Sequence, residues 1–223
     1  MTTIKIAIDG PAGAGKSSIA KDISQKCGYI YIDTGALYRA IAYYSYNHGA
    51  EDFQTEKIVS LLNQMDIQLK YINSVQRVFV NNQDVSDYIR TPLISRGASK
   101  VSAIPQVREF LLDLQRNIAD KNNVIMDGRD IGTVVLPYAD LKIFLTASPE
   151  ERANRRFAQL KNMPNCPCWE DILNEINQRD YDDSHRDIAP LKRSNDAILI
   201  DSTNMSKQEV VEHILKLIST IDK

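Results

Sequence analysis

The sequence has no apolar run long enough to span a bilayer. It does not open with a basic segment followed by an apolar stretch, so no secretory leader is expected. Cysteine is scarce: Cys27, Cys166 and Cys168 cannot all pair, and their spacing is not that of a disulfide framework. A reducing cytoplasm is the expected compartment. Charge of one sign is not in excess, with 27 Lys plus Arg against 29 Asp plus Glu and a formal net charge of −2. No global basic field therefore draws the chain to nucleic acid. Internal repeats and low-complexity tracts are also lacking. What remains is a chain of 223 residues, 43% hydrophobic and 25% charged. That is a soluble globular protein of one large domain or two small ones, long enough to bury a substantial core.

What is present is concentrated near the start, in Gly10-Pro11-Ala12-Gly13-Ala14-Gly15-Lys16-Ser17. Ile4 to Asp9 precede it as an apolar, β-branched run that reads as a buried strand. Ile19 and Ile23 follow at helical spacing. Strand, glycine-rich turn, Lys-Ser and helix form the context of a phosphate-binding P-loop. Glycines let backbone N–H groups turn inward and approach phosphate oxygens closely. The helix N-terminus adds free N–H groups and the positive end of its dipole. Lys16 supplies a point charge for the outer phosphates, and the Ser17 hydroxyl suits Mg²⁺. A glycine-rich turn with an incidental Lys-Ser is the bland alternative, and the filled motif with correct flanks outweighs it.

Further along, Gly28 ends the first helix and Tyr29 to Ile32 read as a second strand. Thr34 or Asp33 caps the next helix, which carries Leu37, Ile41 and Tyr44 on one face. Arg39 lies about one turn in, either a surface charge or an anion ligand. Residues 50–66 read as helix. Residues 67–90 switch to period two, with Asn73-Ser74 and Asn81-Asn82 as turns, which predicts a small antiparallel insert. Residues 93–120 return to helix, broken near Pro105, with Ser99 and Arg108 on either side. Asn123 to Asp127 form another strand, and Gly128-Arg129-Asp130-Ile131-Gly132 lies past its carboxyl end, where open parallel sheets bind ligands. A structural ion pair in a loop is the alternative reading of that block. After a strand at Leu141 to Leu145, Ser148, Pro149 and Glu151 read as a capping box opening a helix. Its Arg152, Arg155 and Arg156 share a face, either solvated or a phosphate clamp. Residues 161–168 are turn-rich. A second helix carries Trp169, Ile172, Leu173 and Ile176, and beyond it come Arg179, Asp183 and Arg186. Residues 151–186 thus read as a helical hairpin with arginines at both ends, suited to a lid over polyphosphate. Ala197 to Ile200 form a last strand, and a capping box at Ser206 and Glu209 opens a terminal core helix.

Cys166 and Cys168 make a lone Cys-x-Cys in the lid, where some nucleotide kinases carry structural zinc. A zinc site takes four ligands, and no second pair exists here, so structural zinc is not expected. Cys27 reads as core or near-core.

Phosphoryl transfer asks for positioning and charge neutralisation more than covalent chemistry. The chain offers a donor cradle at Gly10 to Ser17, cations for an acceptor phosphate at Arg39 and Arg129, and further arginines at Arg155, Arg156, Arg179 and Arg186. A switch GTPase needs fewer, and its Asn-Lys-x-Asp motif is missing. The pattern favours a small-molecule or nucleotide kinase with a closing lid. The rivals are a kinase for another acceptor and a non-enzymatic nucleotide switch.

Beyond these readings, essentially the whole chain resembles the bacterial cytidylate kinases, a family of nucleoside monophosphate kinases. The resemblance rests on Ile8-Asp9-Gly10-Pro11 with the P-loop, Asp33 through Arg39, Ile89-Arg90-Thr91, Asp127 through Val135, Lys142 through Leu145, Ser148 through Ala153, and Asp187 through Leu191. It implies an α/β P-loop three-layer fold with a central parallel sheet of about five strands. It further implies a helical lid at 151–186, and a small antiparallel β insert in a monophosphate-binding region at 34–99. The implied core is 1–33, 100–150 and 187–223, all within a single kinase domain. The implied reaction moves the γ-phosphoryl group of ATP to CMP and dCMP with Mg²⁺. ATP would lie on Gly10, Pro11, Ala12, Gly13, Ala14, Gly15, Lys16, Ser17 and Ser18, with Ser17 also toward Mg²⁺. Thr34, Arg39 and Arg129 fall on the acceptor phosphate; family members often have Ser at the Thr34 position. Ser99, Arg108 and Asp130 fall at positions that read cytosine. Arg179, Asp183 and Arg186 match sugar- and phosphate-side contacts. Lys16, Arg129, Arg155 and Arg179 are the expected catalytic cations. Cytosine offers an N4 donor that Asp130 can accept, whereas the uracil O4 would repel it. The expected partners are free nucleotides, not nucleic acid or membrane, and the expected state is a monomer.

Overall fold

A computed structural model describes residues 3–73, 75–162 and 166–221. In chain order its elements are β1 (Lys5–Asp9), α1 (Lys16–Cys27), β2 (Ile30–Asp33), α2 (Thr34–Asn47), α3 (Thr55–Leu62), β3 (Ile67–Ile72), β4 (Val75–Val80), β5 (Gln83–Asp84), α4 (Pro92–Ser102), α5 (Pro105–Lys121), β6 (Val124–Gly128), β7 (Leu141–Thr146), α6 (Pro149–Leu160), α7 (Trp169–His185), β8 (Ile198–Asp201) and α8 (Lys207–Ile218). The chain divides into two compact units. One runs up to Tyr31 and resumes at Asn122; the other is Ile32–Lys121.

The first unit is built on a five-stranded sheet in the order β2-β6-β1-β7-β8. β1 lies in the middle, parallel to β6 (Ile6 opposite Ile125) and to β7 (Ile6 opposite Leu141), and β7 pairs in parallel with β8. A strand covered on both faces must be apolar throughout, and Ile6, Ala7 and Ile8 are fully buried. Ile19 and Ile23 of α1 share one core with Ile8, Leu145 and with Val210 and Ile214 of α8. Ser206 caps α8 with both halves of its box formed to Glu209. Parallel strands all end on the same side. The segments that follow β1, β6 and β7 are therefore gathered at one edge, and they are the segments the sequence marks as chemical. The α6–α7 hairpin has its own small cluster of Ala153, Ile172 and Ile176.

The second unit packs Leu37, Ile41, Ile58, Val101, Val107 and Leu111 into a separate core. Against it lies a three-stranded antiparallel sheet, β3-β4-β5, with Ile67 opposite Val80. Asn81 and Asn82 take φ of 49° and 66° in the β4–β5 turn, as asparagine permits at little cost. Asn73 also has positive φ, while Ser74 lies outside the described residues, as do residues 163–165 of the turn-rich stretch between α6 and α7. Residues 100–121 group with residues 32–99, since Val107 and Leu111 bury in this unit's core.

Three expectations change. The helix expected over 50–66 is only Thr55–Leu62, because Phe53 takes a φ of 57° that no helix accommodates. Only half of the box at Ser148 forms. Its side chain accepts from the Glu151 N–H, but the Ser148 N–H goes to the Thr203 hydroxyl at 2.9 Å and the Glu151 carboxylate takes Arg155 instead. After β6 the chain makes a π-helical turn at Ile131–Val135 that the sequence did not signal.

Candidate active site

The P-loop is shaped by glycine. Gly10, Gly13 and Gly15 have φ of 148°, 77° and 93°. A Cβ on Gly10 would stand 1.9 Å from the Leu145 carbonyl oxygen, so nothing larger fits. Gly15 occupies the N-cap of α1 and offers no side-chain cap. The first N–H groups of that helix are therefore not taken by a capping side chain, as anion binding requires.

Lys16 opens α1 and is 6% exposed, with its ammonium donating to the Pro11 carbonyl at 2.7 Å. Burial and then the Arg129 guanidinium push its pKa down to about 7. Asp127 and Asp9 pull the other way, and Arg179 adds to the depression. Arg129, just past β6, and Arg179 on α7 thus both act against the Lys16 charge. Ser17 donates its hydroxyl to Asp127 at 2.7 Å, and Tyr31 donates to the other oxygen of the same buried carboxylate at 3.0 Å. A hydroxyl that gives its proton to Asp127 keeps its lone pairs for a hard cation. An oxygen set of Ser17 and Asp127 therefore fits Mg²⁺.

Asp9, at the end of β1, accepts the N–H groups of Ile131 and Gly132, each at 2.7 Å. Its burial raises its pKa to about 6 despite those two bonds, with Asp130 adding to the rise and Lys16 opposing it. It ties the start of the P-loop to the turn that carries Arg129 and Asp130. Arg129 donates to Asp183 at 2.8 Å, and Arg186 lies 3.6 Å from Asp130. Burial works to raise the Asp183 carboxyl, but Arg129, Arg179 and Arg186 together hold it below the usual range. The structure therefore brings Lys16, Arg129, Asp130, Arg179, Asp183 and Arg186 into one charged network within the P-loop unit.

The arginine face of α6 proves uneven. Arg156 is exposed and reaches Gln159. Arg155 bonds Glu151, the Ser202 carbonyl at 2.7 Å and the Ala14 carbonyl at 3.4 Å. Arg152 is buried, not solvated and not free to clamp a phosphate. The sequence did not mark Asp9 or Asp127 as site residues, and it offered Arg152 only as a solvated or phosphate-clamping cation. For Asp127 a signal existed, since a carboxylate ends the otherwise apolar Val124 to Met126 run. For Arg152 the charged helix face was legible but its partners were not, because Ala12 and Asp180 come from distant segments.

In the second unit, Asp33 rather than Thr34 supplies the cap of α2, accepting from Ala36 at 2.9 Å. Asp33 also accepts from Arg39 at 2.8 Å, and Arg90 lies 3.6 Å from the same oxygen. The Nε of Arg39 is buried with no hydrogen-bond partner among the described residues. Thr34 is buried at the first position of α2. Arg108 donates to the Ser102 carbonyl at 3.0 Å with its guanidinium 5.6 Å from the Tyr38 ring centroid. Ser99 sits half-buried on α4.

A parallel sheet, a glycine-shaped loop with a buried lysine, and arginines around it define a P-loop phosphotransferase. The family model described as cytidylate kinase matches residues 6–220. A cytidylate kinase of Caldicellulosiruptor saccharolyticus is 51% identical over 217 residues, 97% of this chain and 96% of that one. One from Caldanaerobacter subterraneus is 50% identical over 97% of this chain and 95% of its own, and one from Clostridium botulinum 48% over 98% and 99%. The chain belongs to the cytidylate kinase family. Among solved structures, an uncharacterised protein from Eubacterium ventriosum superposes with a TM-score of 0.54 at 12% identity, covering 97% of this chain and 99% of its own, and shares the fold.

Proposed function

We propose that this protein transfers the γ-phosphoryl group of ATP to CMP and dCMP, giving ADP with CDP or dCDP. The observation that carries the reading is the crowding of Lys16, Arg129 and Arg179 about a P-loop in a chain whose full-length relatives are named cytidylate kinases. The backbone of Gly10 to Ser17, with Ser18, cradles the donor phosphates. Lys16 leaves the Pro11 carbonyl to meet their outer oxygens, and Arg129, Arg155 and Arg179 offset charge that develops between donor and acceptor. Ser17, with Asp127 behind it, would hold the Mg²⁺ of the nucleotide, which when bound neutralises phosphate charge. In the Ile32–Lys121 unit, Thr34 and Arg39 take the acceptor phosphate, and Ser99 and Arg108 take the base. Asp130 accepts the cytosine N4 amine, while Arg179, Asp183 and Arg186 serve the sugar and phosphate side. Residues 151–186 act as the lid. No catalytic base is required, since the attacking oxygen belongs to a phosphate that is already anionic. We place the protein in the cytoplasm as a monomer acting on free nucleotides.

The test is ADP release from ATP·Mg²⁺ with CMP, dCMP, UMP, AMP, dTMP and no acceptor. Release with CMP and dCMP above the others is expected. Preference for another acceptor would discard the roles of Ser99, Arg108 and Asp130, and release indifferent to every acceptor would discard the kinase.

A further inference from the structure

We propose that Arg152 is a positioning residue for phosphoryl transfer, which holds the donor loop and helix α7 in one fixed relation so that Arg179 stays in register with the loop. The proposal rests on the kinase reading above. Arg152 lies near the start of α6 and is 3% exposed. Its three nitrogens go to three separate segments. Nε donates to the Ala147 carbonyl at 2.9 Å, just past β7. One terminal nitrogen donates to the Ala12 carbonyl at 3.1 Å, inside the P-loop. The other meets the Asp180 carboxylate at 2.6 Å, on α7. The stem is engaged as well: a Cβ on Gly13 would stand 3.1 Å from the Arg152 Cβ. The planar guanidinium fork serves these three directions at once, and a lysine ammonium on a single stem does not.

Asp180 and Asp183 share one face of α7 at i and i+3. The second is held by Arg129 at 2.8 Å. Two ion pairs on one helix face fix its roll as well as its position. Arg179, adjacent to the first, lies close enough to weigh on the Lys16 ammonium. A buried ion pair is a poor stabiliser, because the desolvation of both charges offsets their attraction. A buried arginine bonded to two carbonyls and a carboxylate is better explained by register than by stability.

The test is steady-state kinetics on Arg152→Lys and Asp180→Asn, alone and combined with Arg179→Met, with thermal unfolding recorded for each. In the wild-type background both single variants should lower kcat by about 10- to 100-fold, as misplacement by about 1 Å can, with kcat changing more than the KM for CMP. In the Arg179→Met background the same changes should cost less than about threefold, because the group they act through is gone. A multiplicative loss in both backgrounds would overturn the proposal. So would an unchanged kcat in a folded Arg152→Lys or Asp180→Asn protein, or an unchanged kcat in Arg179→Met. If both single variants fail to fold, Arg152 is structural and the proposal falls. An inactive wild type would reject the kinase reading itself, and this proposal with it.

Discussion

The two compact units handle charge in opposite ways. In the P-loop unit cations crowd one loop, and burial with Arg129 drives the Lys16 ammonium down to about 7. In the Ile32–Lys121 unit Arg39 carries its own counter-ion, Asp33 at 2.8 Å, and Arg90 leans on the same carboxylate at 3.6 Å. In the first, several cations share one buried network with Asp9, Asp127 and Asp183. In the role proposed for Arg39, a phosphate would have to displace the Asp33 carboxylate. Under the proposed function, the first arrangement would meet a polyphosphate and the second a single phosphate. The backbones differ in the same sense. Positive-φ glycines carry the P-loop, whereas Thr34 and Arg39 stand on α2, a helix capped by Asp33.

The sharpest way to break this contrast is Lys16→Ala. Transfer should fall by about 10³-fold or more, since a preorganised cation at the reacting phosphates is lost, while calorimetry still detects CMP binding. Retained turnover would remove the donor-side half of the comparison.

Next in size is a pair of glycine substitutions read by thermal unfolding. Gly10→Ala drives a Cβ into the Leu145 carbonyl at 1.9 Å, and Gly97→Ala drives one into the Phe53 ring at 2.3 Å. Strain and overpacking each cost about 1–3 kcal/mol. The Gly10 change should be the worse, because a carbonyl within a sheet cannot move aside as a ring can. Equal losses would show that the loop backbone is no more constrained than a side-chain packing contact.

Smaller again is specificity. Asp130→Asn should lower the CMP-to-UMP ratio of kcat/KM by about tenfold or more, since the carboxylate that repels the uracil O4 is gone. An unchanged ratio would move base reading away from Asp130.

The last prediction is the pH dependence of stability in the nucleotide-free protein. Between about pH 7 and 10.5 the unfolded chain keeps a proton that folded Lys16 has released, so stability should rise with pH across that window. Between about pH 4 and 6 folded Asp9 keeps a proton the unfolded chain has lost, so stability should fall as pH rises there. Thermal midpoints of Lys16→Met and Asp9→Asn proteins should flatten the upper and lower windows respectively. Slopes unaltered by these changes would assign the dependence to other groups.

Much of the architecture was legible in residue order. The P-loop, the period-two insert read over 67–90, the break at Pro105 and the terminal capping box all depend on neighbours a few positions apart. The short α3 was not legible, because nothing in the sequence announces the positive φ of Phe53. The fate of Glu151 was not legible either, since Thr203 took the bond that its box predicted. In the site, Lys16, Arg129 and Arg179 were identifiable as cations near phosphate, but their mutual pressure was not.

The sequence by itself determined which backbone is able to bind phosphate, because glycine conformation, helix start and strand burial are local properties. It also determined the family, through blocks spread over the whole chain. Only the tertiary structure decided which arginines remain available and which are committed. Arg152 is paired with Ala12 and Asp180, Arg129 with Asp183, and Asp9 with Ile131 and Gly132. Each partner lies tens of residues away or more, and a buried charge is defined by the groups that replace its water.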